Sequence, residues 1–235
     1  MELRVQMNDP KKSDYFYEEA IKTLRTNLLF SGKQIQTVMF TSCFPNEGKS
    51  DIAFHLSQEI GNAGKKVLLI DADIRKSVYV TRYGIRQKIN GLTQYLSGQI
   101  DNSSIIYQTN FLNLDMIFAG PVAPNPSELL GEEAFRELLL NLKQKYDYVL
   151  IDTPPIGNLI DAAVVAEKCD GAILVIESGA VSHRIAQKAK EQLNKSGCRI
   201  LGAVLNKVDT KKDKYYSHYY GKYGGYYRKR EKETQ

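Results

Sequence analysis

The sequence predicts one α/β domain built as a doubly wound, mostly parallel sheet with helices on both faces. Short apolar, β-branched runs alternate with longer amphipathic segments, the pattern of strands joined by crossover helices. The 235 residues, 43% hydrophobic and 25% charged, suffice for one sizeable core and are too few for two comfortable domains. Several apolar runs also end in Asp or Asn, at the carboxyl ends of strands, where such sheets bind ligands.

Taken in order, a helix is expected over residues 15–29, with Glu19, Lys22 and Arg25 on one face at spacings of three. By its spacing alone that face reads first as a solvated surface. Strands are expected over residues 38–42, 67–71, 112–118, 148–152, 172–177 and 200–206. Helices are expected over 50–63, 91–97, 132–145, 160–168 and 182–196, with Gly64 and Gly197 as stop signals. From Lys211 onward the chain reads KKDKYYSHYYGKYGGYYRKREKETQ, with no aliphatic residue to bury, and is expected to be a disordered tail. The predicted organisation is therefore a domain over 1–207 and a flexible basic, tyrosine-rich tail over 208–235.

The excess charge sits in that tail. Residues 208–235 carry eight Lys/Arg against four Asp/Glu, whereas 1–207 is close to neutral. A nucleic-acid-binding domain, which wears its surplus on the folded surface, is disfavoured. No apolar run reaches the roughly 18 residues of a membrane span, and the N-terminal residues lack a signal peptide's apolar stretch, so a cytoplasmic protein is expected. Cys43, Cys169 and Cys198 show neither C-x-x-C pairing nor zinc spacing, which argues against disulfides and structural zinc.

Directly after the first expected strand comes Cys43-Phe44-Pro45-Asn46-Glu47-Gly48-Lys49-Ser50 and then a helix. Strand, G-K-S loop and helix is the context of a phosphate-binding loop, and it makes the fold one of the P-loop NTPase type. The loop Pro45-to-Asp51, through the backbone N–H groups after Pro45 and the helix N-terminus, would cradle phosphates, Lys49 would reach the β/γ-phosphates, and the Ser50 hydroxyl would ligate Mg²⁺. Cys43 stands where the strict pattern has Gly. Asn46 stands where Gly would ease the turn, although Asn tolerates a left-handed conformation. Asp51 replaces a hydroxyl residue and either favours the helix dipole or repels nucleotide.

Two further strand ends converge on this loop: Ile70-Asp71-Ala72-Asp73-Ile74-Arg75 and Ile151-Asp152-Thr153-Pro154-Pro155. Carboxylates so placed hold Mg²⁺ directly or through water. Asp152 is the better metal candidate, and Asp71 and Asp73 divide metal binding from accepting a hydroxyl proton. An Asp at a strand end can also merely cap the next helix. Asn206-Lys207-Val208-Asp209 ends the last strand and spells N-K-x-D, where Asn206 could face guanine, face adenine or simply lead into a loop.

With these residues in view, the chain resembles the bacterial tyrosine kinases of capsular and exopolysaccharide synthesis, in the separate cytoplasmic-subunit form of Gram-positive bacteria. The resemblance spans nearly the whole chain: Thr41-Ser42 before the G-K-S loop, Ile70 to Arg75, Ala119-Gly120-Pro121-Val122-Ala123-Pro124-Asn125-Pro126-Ser127-Glu128-Leu129-Leu130, Tyr148 to Pro155, Leu201 to Lys207, and the terminal tyrosines. It implies ATP and Mg²⁺ bound by the loop, Asp71, Asp73 and Asp152, with phosphoryl transfer to the tail tyrosines of a neighbouring subunit. It further implies a membrane adaptor whose cytoplasmic tail recruits the kinase to the inner face of the membrane, and a tyrosine phosphatase partner. Homo-oligomeric rings would form through an E-x-x-R-x-x-R helix motif, read here as Glu19, Lys22 and Arg25, where Lys22 lacks the arginine fork.

The residues of the tail agree. Tyr215, Tyr216, Tyr219, Tyr220, Tyr223, Tyr226 and Tyr227, seven of fifteen tyrosines, lie within thirteen residues and offer repeated phenols as phosphate acceptors. Each phosphate adds about −1.5 to −2 of charge and would overturn the tail's surplus. A basic aromatic tail could instead stack on single-stranded nucleic acid. Competing functions are an ATPase of the partitioning or positioning type, which usually carries a lysine where Phe44 stands, a nucleotide-binding regulatory subunit weakened at Asp51, and a GTPase. The absence of H-R-D and D-F-G motifs excludes a eukaryotic-type kinase.

Overall fold

The structure is a computed structural model that describes residues 3–10, 15–157 and 159–209. Along the chain run β1 (Leu3–Arg4), α1 (Tyr15–Phe30), β2 (Thr37–Ser42), α2 (Lys49–Asn62), β3 (Val67–Asp71), α3 (Tyr79–Arg82), α4 (Leu92–Leu96), a 3₁₀ turn (Asn102–Ser104) and β4 (Ile106–Gln108). There follow β5 (Leu114–Ile117), α5 (Pro126–Gly131), α6 (Glu133–Lys143), β6 (Tyr148–Asp152), α7 (Asp161–Ala166), β7 (Gly171–Glu177), α8 (His183–Lys195) and β8 (Ile200–Asn206). One eight-stranded sheet has the order β1-β4-β5-β3-β6-β2-β7-β8. All pairings are parallel except that of β4 with β5.

The central strands β2, β3 and β6 are buried at every position, as parallel strands covered on both faces must be. Alternate side chains feed two cores. Met39, Leu68, Ile70, Val149 and Ile151 pack with Leu130, Phe135, Leu138, Leu142 and Leu193 of α5, α6 and α8. On the other face Val38, Phe40, Leu69 and Leu150 meet Ile21 and Leu28 of α1 and Ile52, Phe54, Leu56 and Ile60 of α2.

The expected doubly wound sheet and its six strands are present, with small shifts of boundary. Strand 112–118 shrinks to β5, because Asn113 takes a left-handed φ of 55° immediately before it. Helix 132–145 shortens to α6 behind a separate α5, the two divided by extended Glu132. β1, β4, α3 and α5 escape sequence reading because they span only two to six residues, too short for a period to show. The tail over 210–235, with all seven acceptor candidates Tyr215 to Tyr227, lies outside the described residues. Among the described residues no helix is long and apolar enough to cross a membrane.

At Gly91 two backbones touch: a Cβ there would stand 2.2 Å from the Gly120 nitrogen and 2.5 Å from the Phe118 oxygen. This contact sets the segment after β5 against the start of α4. Gly91→Ala is expected to cost at least about 2 kcal/mol in chemical denaturation, and an unchanged midpoint would contradict the close approach.

Candidate active site

The sheet order brings the loop and the carboxylates together. β6 lies between β2 and β3, with Phe40 of β2 opposite Asp152 and Asp152 opposite Asp71. The loop after β2 therefore meets two strand-end aspartates from adjacent strands, and Asp73 lies two residues beyond Asp71.

The loop is braced from within and from β7 and β8. Asn46 is left-handed at φ 68° and Gly48 at φ 90°, so the asparagine supplies the turn that glycine would otherwise make. Glu47 is buried and turned inward: its Oε2 accepts from Phe44 N at 2.7 Å and its Oε1 from Glu177 N at 3.1 Å. Only its backbone is left for a ligand. Asn206 Nδ2 donates to Glu47 O at 2.8 Å and lies 2.1 Å from where a Gly48 Cβ would stand, so that glycine is required for space as well as φ. Lys207 Nζ donates to Asn46 O at 2.6 Å and to Glu177 Oε2 at 2.8 Å. The N-K pair of the N-K-x-D segment is thus tied to the phosphate loop, and Cys43 is wholly buried beneath it.

Lys49 is the hub. Its Nζ lies 3.6 Å from Asp73 Oδ2, 3.6 Å from Asp152 Oδ1, and donates to Ser50 Oγ at 3.2 Å. Burial alone would lower its pKa, yet the charges of Asp152, Asp73 and Asp71 outweigh burial and hold it above the ordinary lysine value. Asp71 is fully buried, with Oδ2 accepting from Ser77 Oγ at 2.5 Å and Oδ1 from Asp73 N at 3.2 Å. Burial first, and the Asp152 charge next, push its pKa up to about 8. Asp152 is raised for the same first reason, burial, against the lowering effect of Lys49. Both its carboxylate oxygens are buried without a hydrogen-bond partner.

Asp152, whose buried oxygens accept no hydrogen bond and meet the Lys49 ammonium at 3.6 Å, lies with Asp71 and Asp73 beside a serine hydroxyl, a donor set that fits a divalent cation. Among the described residues no three His, Cys, Asp or Glu could hold a metal by themselves. A hard cation such as Mg²⁺ typically binds one or two carboxylates and completes its shell with phosphate oxygens and water.

Other partners were not legible in the sequence. Asp51 pairs with Arg82, fastening α3 to the first turn of α2, so its charge is compensated within the chain. Arg75 Nε and Nη2 bind Asp161 Oδ2 and Oδ1 at 2.5 and 3.0 Å, joining the segment after β3 to the start of α7. Asp161 is fully buried, and loss of such a partner costs about 3–5 kcal/mol. Beside Asp73 opens a cleft of about 540 Å³ that Arg75, Lys76 and Val122 help to line. On α1, Glu19 pairs with Lys22 at 2.8 Å, while Arg25 reaches Glu59 of α2 at 2.7 Å.

A family model described as an AAA domain matches residues 46–196. The tyrosine-protein kinase CpsD of Streptococcus pneumoniae is 43% identical over 198 residues, which cover 84% of this chain and 87% of that one. The kinase domain of the Escherichia coli tyrosine kinase ETK superposes with a TM-score of 0.77 at 34% identity, covering 81% of this chain and 75% of that one. The septum site-determining protein MinD from Pyrococcus horikoshii, complexed with Mg-ADP, gives 0.66 at 27% identity, covering 76% and 73%.

A folded Asp71 holds its proton up to about pH 8, whereas its ordinary value is 3.8. The folded state is therefore favoured by this group at low pH, and the advantage is lost as pH rises through that window. Ligand-free protein is expected to lose about 2 kcal/mol of stability between pH 5 and pH 8 that Asp71→Asn does not lose. Parallel stability profiles for the two proteins would contradict this.

Proposed function

The chain belongs to the bacterial protein-tyrosine kinases, and from that premise we propose that it moves the γ-phosphoryl group of ATP onto the tyrosines of its own 215–227 segment, between copies. The observation that carries this reading is the convergence of Lys49, Asp71, Asp73 and Asp152 at one strand-end site with an open cleft beside Asp73.

Each residue has a role set by its surroundings. The loop from Pro45 to Asp51 holds the phosphates through its backbone, and Lys49, kept charged by its three carboxylates, moves from them to the β/γ-phosphates. Ser50, Asp71 and Asp152 hold Mg²⁺, and MinD with Mg-ADP supports the choice of metal and nucleotide. When bound, Mg²⁺ supplies neutralising charge at the phosphate oxygens. Asp73 borders the cleft whereas Asp71 is fully buried, so Asp73 orients the incoming phenol and accepts its proton. Catalysis is positioning plus electrostatics. Asn206 acts from the flank of the loop.

The wider assignment follows the family. The kinase serves capsule or exopolysaccharide synthesis and export, a membrane adaptor recruits it to the inner face of the membrane, and a tyrosine phosphatase reverses the modification. Copies assemble through the α1 face of Glu19, Lys22 and Arg25, with a ring as the form that face would build. The Arg25–Glu59 pair then means that assembly must share or exchange an arginine already engaged within its own chain.

Mixing two variants tests the transfer. One is Lys49→Met with an intact tail; the other keeps the loop but has all seven tail tyrosines changed to Phe. With Mg·ATP the phosphate is expected on the Lys49→Met chain, which alone should incorporate at least about 100-fold less than wild type. Undiminished incorporation by Lys49→Met alone would show that the loop is not the transfer site. Absence of label in the mixture, with wild type active, would refute transfer between copies.

A further inference from the structure

The cleft beside Asp73 has walls that transfer to a neutral hydroxyl does not require. Arg75 and Lys76 are exposed on its lining, which also includes the apolar side chains of Ile74, Val80, Ile89 and Val122. Residues 74–100 carry five Lys/Arg and no Asp or Glu. Lys76 is anchored at the catalytic edge, since its backbone N donates to Asp73 Oδ1 at 3.0 Å. Among the described residues its ammonium has no carboxylate partner. Arg75 is fixed by buried Asp161 through Nε and Nη2, a pair in which Nη1 takes no part. One nitrogen of a rigid guanidinium fork is thus left outside the Asp161 pair, on a residue that lines the cleft.

A cationic edge next to an apolar wall fits an aryl phosphate: the ring lies on aliphatic side chains and the dianion meets Lys76 and the outer edge of Arg75. We propose that this cleft is a phosphotyrosine receptor, and that its occupant is the already modified 215–227 segment of a second copy of this chain. The proposal rests on the kinase reading above and adds a preference of the acceptor site for substrate that carries a phosphate.

The sequence of that segment supplies the complementarity. Between Tyr215 and Tyr227 the only Lys, Arg, Asp or Glu is Lys222, so the unmodified segment has nothing to attract a cationic wall. Each phosphate brings about −1.5 to −2 of charge. The tyrosines occur as adjacent pairs at 215–216, 219–220 and 226–227, which places a modified residue directly beside an unmodified one. Binding of the first phosphate then holds the next phenol near Asp73, and a singly modified segment is phosphorylated faster than an unmodified one. Asp161 is a positioning residue in this scheme, acting through Arg75.

The test is a titration of the full-length protein, with excess Mg·ADP occupying the phosphate loop, by a peptide of residues 214–222. One form is unmodified and the other carries phosphate on Tyr220. The phosphopeptide is expected to bind about ten-fold more tightly, and Lys76→Gln to reduce that advantage to about two-fold. Free phosphotyrosine should displace it at concentrations where inorganic phosphate does not, because only the former has a ring for the apolar wall. Equal affinity for the two peptides, an advantage unchanged by Lys76→Gln, or equal displacement by inorganic phosphate would each overturn the receptor. The titration involves no phosphoryl transfer, so it stays readable if the kinase reading fails, and an active kinase without phosphopeptide preference refutes the receptor alone.

Discussion

One lysine among three buried carboxylates is the constraint around which the site is organised. Lys49 lies 3.6 Å from both Asp73 and Asp152, and its charge opposes the burial that would otherwise neutralise the strand-end carboxylates. Burial drives Asp71 and Asp152 toward the protonated form, and the lysine charge opposes that shift at both. A divalent cation bound there would bring the missing positive charge, and the phosphates of a nucleotide would draw the lysine toward themselves. The oxygens of Asp152, buried without a hydrogen bond, are the place where a cation would complete the cluster.

The surrounding framework keeps this cluster from relaxing. β6 sits between β2 and β3, so the loop and the two strand ends cannot separate without breaking the sheet. Glu47, Asn206 and Lys207 lock the loop from its own carboxylate and from β8. Arg75 and Asp161 lock the segment after β3 to the start of α7. Asp51 and Arg82 join α2 to α3. Each of these contacts fixes the shape of the loop or of a segment beside it.

The sequence showed the fold and the chemistry for the same reason: strands buried on both faces are written as apolar runs, and carboxylates ending such runs stand out. G-K-S at residues 48–50 and the aspartates at 71, 73 and 152 needed no structure to be found. What remained hidden depends on contacts between distant positions. Glu47 read as part of a loop that offers its backbone to phosphate, and nothing local showed that its side chain closes the loop on itself. Asp51 read either as favouring the helix dipole or as repelling nucleotide, and Arg82, 31 positions away, answers its charge. Asp161 read as the start of a helix, and its burial against Arg75 follows from no local pattern. Helices and strands of a few residues likewise leave no period to detect.

The account turns on tyrosine modification by this site, and intact-mass spectrometry of the purified protein before and after Mg·ATP tests it most directly. Steps of about 80 Da that map to residues 215–227 are the predicted result. An unchanged mass in protein that demonstrably binds ATP, with and without a candidate adaptor segment, would contradict it and leave a nucleotide-binding protein that does not phosphorylate its own tail.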